Sequence, residues 1–240
     1  MKKYLIAITF TTLFLSCEKE KDIEFINFKN DFKLIIENNE ALADGISTIK
    51  VRAEFPEDFT TEDDNKVKFL IYKEEIQEKE IDILLVDDNG QNKKRATLFI
   101  SNDKKQLIDI EAILSINSVN ISKNSQVSFK KAYLDSINIF SSSLTIKPNS
   151  FEEIEFTTEL IRNIGIASVG SFAETKVIDT LGIERGLFNN YKNFSNEESK
   201  IVNKYTLGND DYLGELFAIS SGYNEQNEIK IDTITILSKN

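Results

Sequence analysis

The chain has 240 residues, a formal net charge of −11, one cysteine, one methionine, and neither histidine nor tryptophan. With no histidine and a single thiol it cannot build a Ser-His-Asp or Cys-His arrangement, a His- or Cys-based zinc or iron site, or a disulfide within itself. The 40 acidic against 29 basic side chains also argue against nucleic acid as a partner, because a polyanion is held by a basic surface.

The chain opens with Lys2 and Lys3, followed by an uncharged run from Tyr4 to Leu15. That run is shorter than the roughly 20 apolar residues a spanning helix needs, and it has the charge and length of a secretory signal. It ends Leu13-Phe14-Leu15-Ser16-Cys17. This resembles the lipobox of bacterial lipoproteins, in which a small residue stands just before a cysteine. The resemblance implies lipidation at Cys17, with diacylglycerol (palmitate-type chains) on the sulfur, removal of residues 1–16, and Cys17 as the acylated first residue. The alternative is a plain signal peptide followed by a free thiol. Two or three acyl chains give a stable anchor where one gives marginal binding. Loss of Lys2 and Lys3 leaves 27 basic against 40 acidic residues, a net −13. The run Glu18-Lys19-Glu20-Lys21-Asp22 resembles the export tag of surface lipoproteins in some Gram-negative bacteria; read from charge alone it is a solvated tether. Residues 17–30 are thus expected to be a tether, and the protein to lie on the outer membrane, lipid-anchored and facing the exterior.

Beyond the tether the dominant signal is alternation with a period of two. In Ile49-Lys50-Val51-Arg52-Ala53-Glu54-Phe55 every second residue is apolar, which predicts a half-buried antiparallel strand. Val67–Ile71, Ala96–Ile100 and Ile108–Ala112 predict further strands. Asp44-Gly45, Asp87-Asp88-Asn89-Gly90 and Asn102-Asp103 supply the turn chemistry between them. Gln126–Phe129 with Ala132 closes this set. Short strands at such spacing suggest a β-sandwich.

Three stretches, "ALADGISTIKVRAEF" (Ala41–Phe55), "KVKFLIY" (Lys66–Tyr72) and "VDDNGQNKKRATLFIS" (Val86–Ser101), together resemble a bacterial immunoglobulin-like domain of the invasin and intimin kind. In that family an Ala-Asp-Gly opens the second strand and an Asp-x-Asn-Gly turn precedes a later one. Asp44, Gly45, Asp88, Asn89 and Gly90 match those turn positions. The resemblance covers about residues 30–130 and departs at Glu74–Glu80, where the family has a Gly-containing segment. It implies a fold, and an adhesion or spacer role, without implying a ligand.

From Ile137 a second set begins. Ile154–Thr158 and Ile201–Leu207 alternate, Asn196–Lys200 could form one helical turn, and Tyr212–Ser220 with Ile229–Leu237 reads as a closing pair with a turn near Gly222. In the last run Ile229 and Ile231 fall on one parity, Ile234 and Ile236 on the other. Either both faces are partly buried or a bulge near Asp232 resets the phase. The expected architecture is all-β: an immunoglobulin-like β-sandwich over 31–134, then a second β-sandwich domain over 135–240. A single elongated all-β domain is the alternative.

Three kinds of candidate site follow. Glu62-Asp63-Asp64-Asn65, Asp87-Asp88-Asn89 and Asn209-Asp210-Asp211 offer oxygen ligands of the kind calcium takes, although Asp and Asn in such loops are more often turn formers. Paired carboxylates could serve a glycosidase, but 40 acids supply pairs by chance, and the pair must flank a cleft. Leu187–Phe194 is rich in aromatics and amides, a combination that can stack on sugar rings; the pattern favours Phe188 and Phe194 tucked into the core instead, and Tyr205 and Tyr212 likewise. The sequence therefore predicts no catalytic residues, cofactor or metal. It predicts a non-catalytic binding module, partnered by the membrane through Cys17 and by an extracellular protein or glycan. The alternative is a glycan-binding accessory lipoprotein of a sugar-uptake system.

Overall fold

The computed structural model describes residues 30–56, 66–87, 93–116 and 119–240. Residues 1–29, with Cys17, the expected signal and the expected tether up to residue 29, the run Glu62–Asn65, and Asp88, Asn89 and Gly90 lie outside the described residues. The chain is all-β, an immunoglobulin-like β-sandwich followed by a second β-sandwich.

Among the described residues nine strands come first: β1 (Lys33–Ile36), β2 (Glu40–Ala43), β3 (Thr48–Pro56), β4 (Lys66–Lys73), β5 (Ile76–Leu84), β6 (Val86–Asp87), β7 (Lys93–Ser101), β8 (Gln106–Ile116) and β9 (Val119–Lys131). One sheet has the order β1-β3-β7-β6 and the other β2-β9-β8-β4-β5. This is the immunoglobulin pattern of an A-B-E-D sheet against a G-F-C sheet, with β2 running parallel to Ser128–Lys131 of β9. The alternation in β3 does the expected work. Ile49, Val51, Ala53 and Phe55 are buried, and Phe55 stacks on Phe32 with ring centroids 4.4 Å apart. Opposite faces of a pleated strand diverge by construction, so Lys50 and Arg52 point outward and both reach Glu37, at 3.1 and 3.3 Å.

Eight strands follow: β10 (Ser136–Ser141), β11 (Thr145–Ile146), β12 (Ile154–Ile161), β13 (Ala173–Asp179), β14 (Leu187–Asn189), β15 (Lys200–Thr206), β16 (Gly214–Tyr223) and β17 (Ile229–Ser238). Their sheets are β10-β12-β15-β14 and β11-β17-β16-β13, with β11 parallel to β17. The second sandwich thus repeats the strand order of the first, without a counterpart of β5 among the described residues. Phe156, Tyr205, Leu216, Ala218 and Ile236 form its core; burying each large apolar side chain stabilises by about 1.5–3 kcal/mol. Inside this core Thr158, Thr175 and Ser220 form a triangle of hydroxyls, with oxygens 2.6, 2.8 and 3.2 Å apart. Each can donate once and accept once, so the buried polar groups are satisfied among themselves.

By contacts the chain divides into two compact units. One holds the described residues up to Asn39 with Ile49–Ile100 and Leu107–Val127; the other holds Glu40–Thr48, Ser101–Gln106 and Ser128–Asn240. In the second unit the backbone of Ile166 donates to Asp44 O (3.0 Å), Val169 to Asp103 O (2.8 Å), and the Ser168 hydroxyl to Ala43 O (2.7 Å).

Several sequence expectations are corrected. The final hairpin turns at Asn224–Glu228, where Asn224 Oδ1 accepts from the N–H groups of Gln226 and Glu228, and Gly222 lies inside β16. Gly222 is there for closeness: a Cβ would sit 3.0 Å from the Leu134 side chain and 3.1 Å from that of Ile137. No bulge resets β17, which pairs with β16 in unbroken register from Gly214↔Ser238 to Tyr223↔Ile229. The change of parity arises because Ile234 and Ile236 face the core while Ile229 and Ile231 face solvent. Asn196–Lys200 is a tight turn, not a helical one: Asn196 N–H donates to Lys200 O, and its Oδ1 accepts from Glu198 and Lys200. Gln126–Phe129 is the end of a strand of 13 residues.

Candidate functional site

The Asp44-Gly45 turn forms as its chemistry requires. Gly45 has φ +77°, a region that costs most residues energy and glycine little. Asp44 is buried and accepts from Ile46 N–H (3.1 Å), Ser47 N–H (2.6 Å) and Ser47 Oγ–H (2.8 Å). Burial alone would raise its pKa; the Ser47 and Ile46 donors and the charge of Arg162 outweigh this and hold it below the usual carboxylate value. These bonds occupy Asp44 in shaping the turn.

The acidic loop at 209–211 belongs to a second cluster. Buried Asp179, at the end of β13, accepts from Leu181 and Ile183 N–H and takes a two-pronged bond from Arg185, at 2.9 and 2.7 Å. Arg185 also lies 3.7 Å from Asp210 and stacks over the Tyr212 ring at 4.8 Å. Asp210 accepts from Tyr212 N–H (3.0 Å). Both carboxylates face a fixed cation and backbone donors, so the cluster acts as a clasp between two loops. Arg185 is the residue that sequence reading missed; the sequence offers no signal for it beyond its standing six residues after an Asp.

The aromatic segment divides. Phe188 packs on the core beside Phe156 and Tyr205, with centroids 6.3 and 5.3 Å away. Tyr205 is wholly buried, its hydroxyl donates to Arg185 O (2.8 Å), and burial pushes its pKa upward; Tyr212 is half-buried against the same core. Phe194 departs from expectation: it is 59% exposed and meets Phe172, also exposed, edge to face at 5.8 Å. The reason lies in the backbone. The segment lies along the edge of β13, where Ala173 N–H donates to Asn193 O (3.0 Å) and Thr175 N–H to the Tyr191 hydroxyl (2.8 Å). Arg185 N–H donates to Val177 O, and Asp179 N–H to Ile183 O. An open strand edge is a pairing hazard. This one is covered, which fixes where the segment runs and leaves Phe194 outside. Buried Asn203 grips the segment from β15, exchanging two bonds with the Lys192 backbone at 2.7 and 2.8 Å.

Three open clefts lie among the described residues. One of about 260 Å³ lies beside that covered edge, lined by Glu174, Lys176, Glu184, Leu187 and Tyr191 among others. A second, about 220 Å³, includes Glu152 and Glu153. Glu152 lies 3.5 Å from Lys147; Glu153 meets Lys204 at 3.4 Å and Asn189 at 2.6 Å. A third, about 480 Å³, lies on the outer face of β4, β8 and β9. There Tyr72 donates to Glu111 (3.3 Å) and Gln126 to Asp109 (2.9 Å). These carboxylates are engaged by neighbouring donors, an arrangement suited to a fixed polar surface.

No protein-family model matches the chain, and no curated protein matches it in sequence. Solved structures do match. The adhesin InvE of Yersinia pseudotuberculosis aligns at TM-score 0.50 and 10% identity, covering 87% of this chain and 59% of that one. Invasin, a bacterial integrin-binding protein, aligns at TM-score 0.55 and 13% identity, covering 86% and 39%. The chain therefore spans less than two thirds of either neighbour. At such identities the likeness establishes the fold alone.

Proposed function

We propose that this chain is a non-catalytic lipoprotein displayed on the outside of the outer membrane, acting as an immunoglobulin-like adhesion or spacer module. Cys17 carries the lipid, residues 17–30 form the tether, and sandwiches at 31–134 and 135–240 hold their loops away from the bilayer. The observation that carries the reading is the pair of sandwiches with one strand order, a fold shared with proteins named as an adhesin and an integrin-binding protein. Fold does not choose a ligand; the loops joining the strands are where specificity would reside.

The test has two arms. Mass spectrometry of the purified protein should find Cys17 acylated at the new N-terminus, and protease added to intact cells should remove the sandwiches. An unmodified thiol, or a protein touched only after lysis, would sink the anchor and its orientation. Cells carrying the protein should adhere to a panel of immobilised host matrix proteins more strongly than cells lacking it. The exposed Phe172–Phe194 pair supports a second reading, a glycan-binding accessory lipoprotein of a sugar-uptake system. Retardation in polysaccharide gels that is lost in Phe194→Ala would favour it.

A further inference from the structure

The outer face of the sheet formed by β13, β16 and β17 is uncharged over most of its extent. Tyr223, Ile229 and Ile231 are 52, 55 and 60% exposed. They form one end of a ladder in which Tyr223 pairs with Ile229, Ser221 with Ile231, Ile219 with Thr233 and Phe217 with Thr235. Because alternate residues of β16 are buried, Phe217 and Ile219 stand on this outer face. A contiguous apolar patch of this kind marks an interaction surface in a soluble domain. The equivalent face of the first sandwich carries Asp109, Glu111 and Gln126 instead, so the patch is a property of this sequence and not of the fold.

At the β13 side of the ladder stand two opposite charges, Glu174 and Lys176, both exposed. Neither takes part in an ion pair among the described residues. They flank Thr175, which is in register with Ser220, and Ser220 with Asp232. One level therefore runs straight across the three strands. A two-fold axis lying in the plane of the face, along that level, lays each strand over its own copy reversed. It brings Glu174 onto Lys176 of the copy and Lys176 onto Glu174, Ile219 onto Ser221, Phe217 onto Tyr223, and Ile229 onto Thr235. Charges meet with opposite sign, and large side chains meet small ones or aromatic partners. The surface is thus complementary to itself, as a symmetric dimer requires.

We propose that this face is the interface of a homodimer, formed by a second copy of this chain packed sheet on sheet. The inference is independent of the anchor and of the adhesion reading. It is tested on the full chain in intact cells by mild diamide oxidation and non-reducing gels, each band compared with that of the native chain. The double variant Ile219→Cys/Ser221→Cys should give a band of twice the chain's mass, at least tenfold above either single variant, because 219 faces 221 across the axis and the two are too far apart within one strand to bridge. Adding Lys176→Glu should lower that band at least tenfold, and Glu174→Lys/Lys176→Glu together should restore it. Absence of the doubled band, equal bands from the single variants, indifference to Lys176→Glu, or failure of the double charge reversal to restore it each overturns the proposal.

Discussion

Asp179 shows how much one buried carboxylate can organise. Burial by itself would raise its pKa, but the N–H groups of Ile183 and Leu181 and the Arg185 guanidinium together bring it below the usual carboxylate value. A group with a depressed native pKa gives stability that is complete above its unfolded value, near 3.8, and is lost as pH falls through the native one. Asp44 is shifted in the same direction. We therefore expect Asp179→Asn to lower the urea midpoint at neutral pH and to converge with the native chain as pH drops below 3.8, in urea unfolding followed from neutral to acid pH. Tyr191 works differently, because its hydroxyl caps the Thr175 amide at the edge of β13. Tyr191→Phe leaves that amide to water and should cost about 1 kcal/mol, with the amide exchanging faster with deuterium.

Among the elements, the hairpin between β4 and β5 is the least comfortable. Its two turn residues, Glu74 and Glu75, have φ of 50° and 67°. Two-residue turns of this hand suit Asn-Gly, and a left-handed backbone costs an ordinary residue about 1–2 kcal/mol. The double change Glu74→Asn/Glu75→Gly should stabilise the chain by about 1–2 kcal/mol in chemical denaturation, without altering its circular dichroism. The strand itself was hidden in the sequence because Ile76–Leu84 is largely exposed and rich in charge, held by cross-strand pairs such as Lys68–Glu80 at 2.5 Å. Strands with strict alternation, β3 above all, were legible because one face is apolar throughout, Ile49, Val51, Ala53 and Phe55. Strand β13 was not: its buried face reads Ala173, Thr175, Val177, Asp179, two of the four polar, and Thr175 finds its hydroxyl partners only 17 and 45 residues away, in Thr158 and Ser220. The same limit applied to the candidate site. Asp44-Gly45 announced itself as a local turn, whereas the bonds from Arg185 to Asp179 and from Tyr191 to Thr175 depend on how the chain returns on itself. Phe194 was misplaced because residue type predicts burial on average, and the demand of an uncovered strand edge overrode that average.

At the scale of the molecule, the border between the two halves is not a single point in the sequence. The second unit includes Glu40–Thr48 and Ser101–Gln106, whose backbones take the bonds of the Ile166–Val169 loop. A fragment of residues 135–240 lacks all of these acceptors. It should melt several degrees below the corresponding transition of the whole chain in calorimetry, and proteases should cut it first within residues 163–170. Equal melting temperatures would show that the loop needs no support from earlier segments. This shared construction also bears on the order of events as the polypeptide is made. The carbonyl of Ala43 leaves the ribosome early, yet the hydroxyl it accepts from stands 125 positions later. Closing so long a span is entropically slow, so this stretch must wait, half-finished, until Ser168 has been synthesised, and its docking should be a late step of maturation.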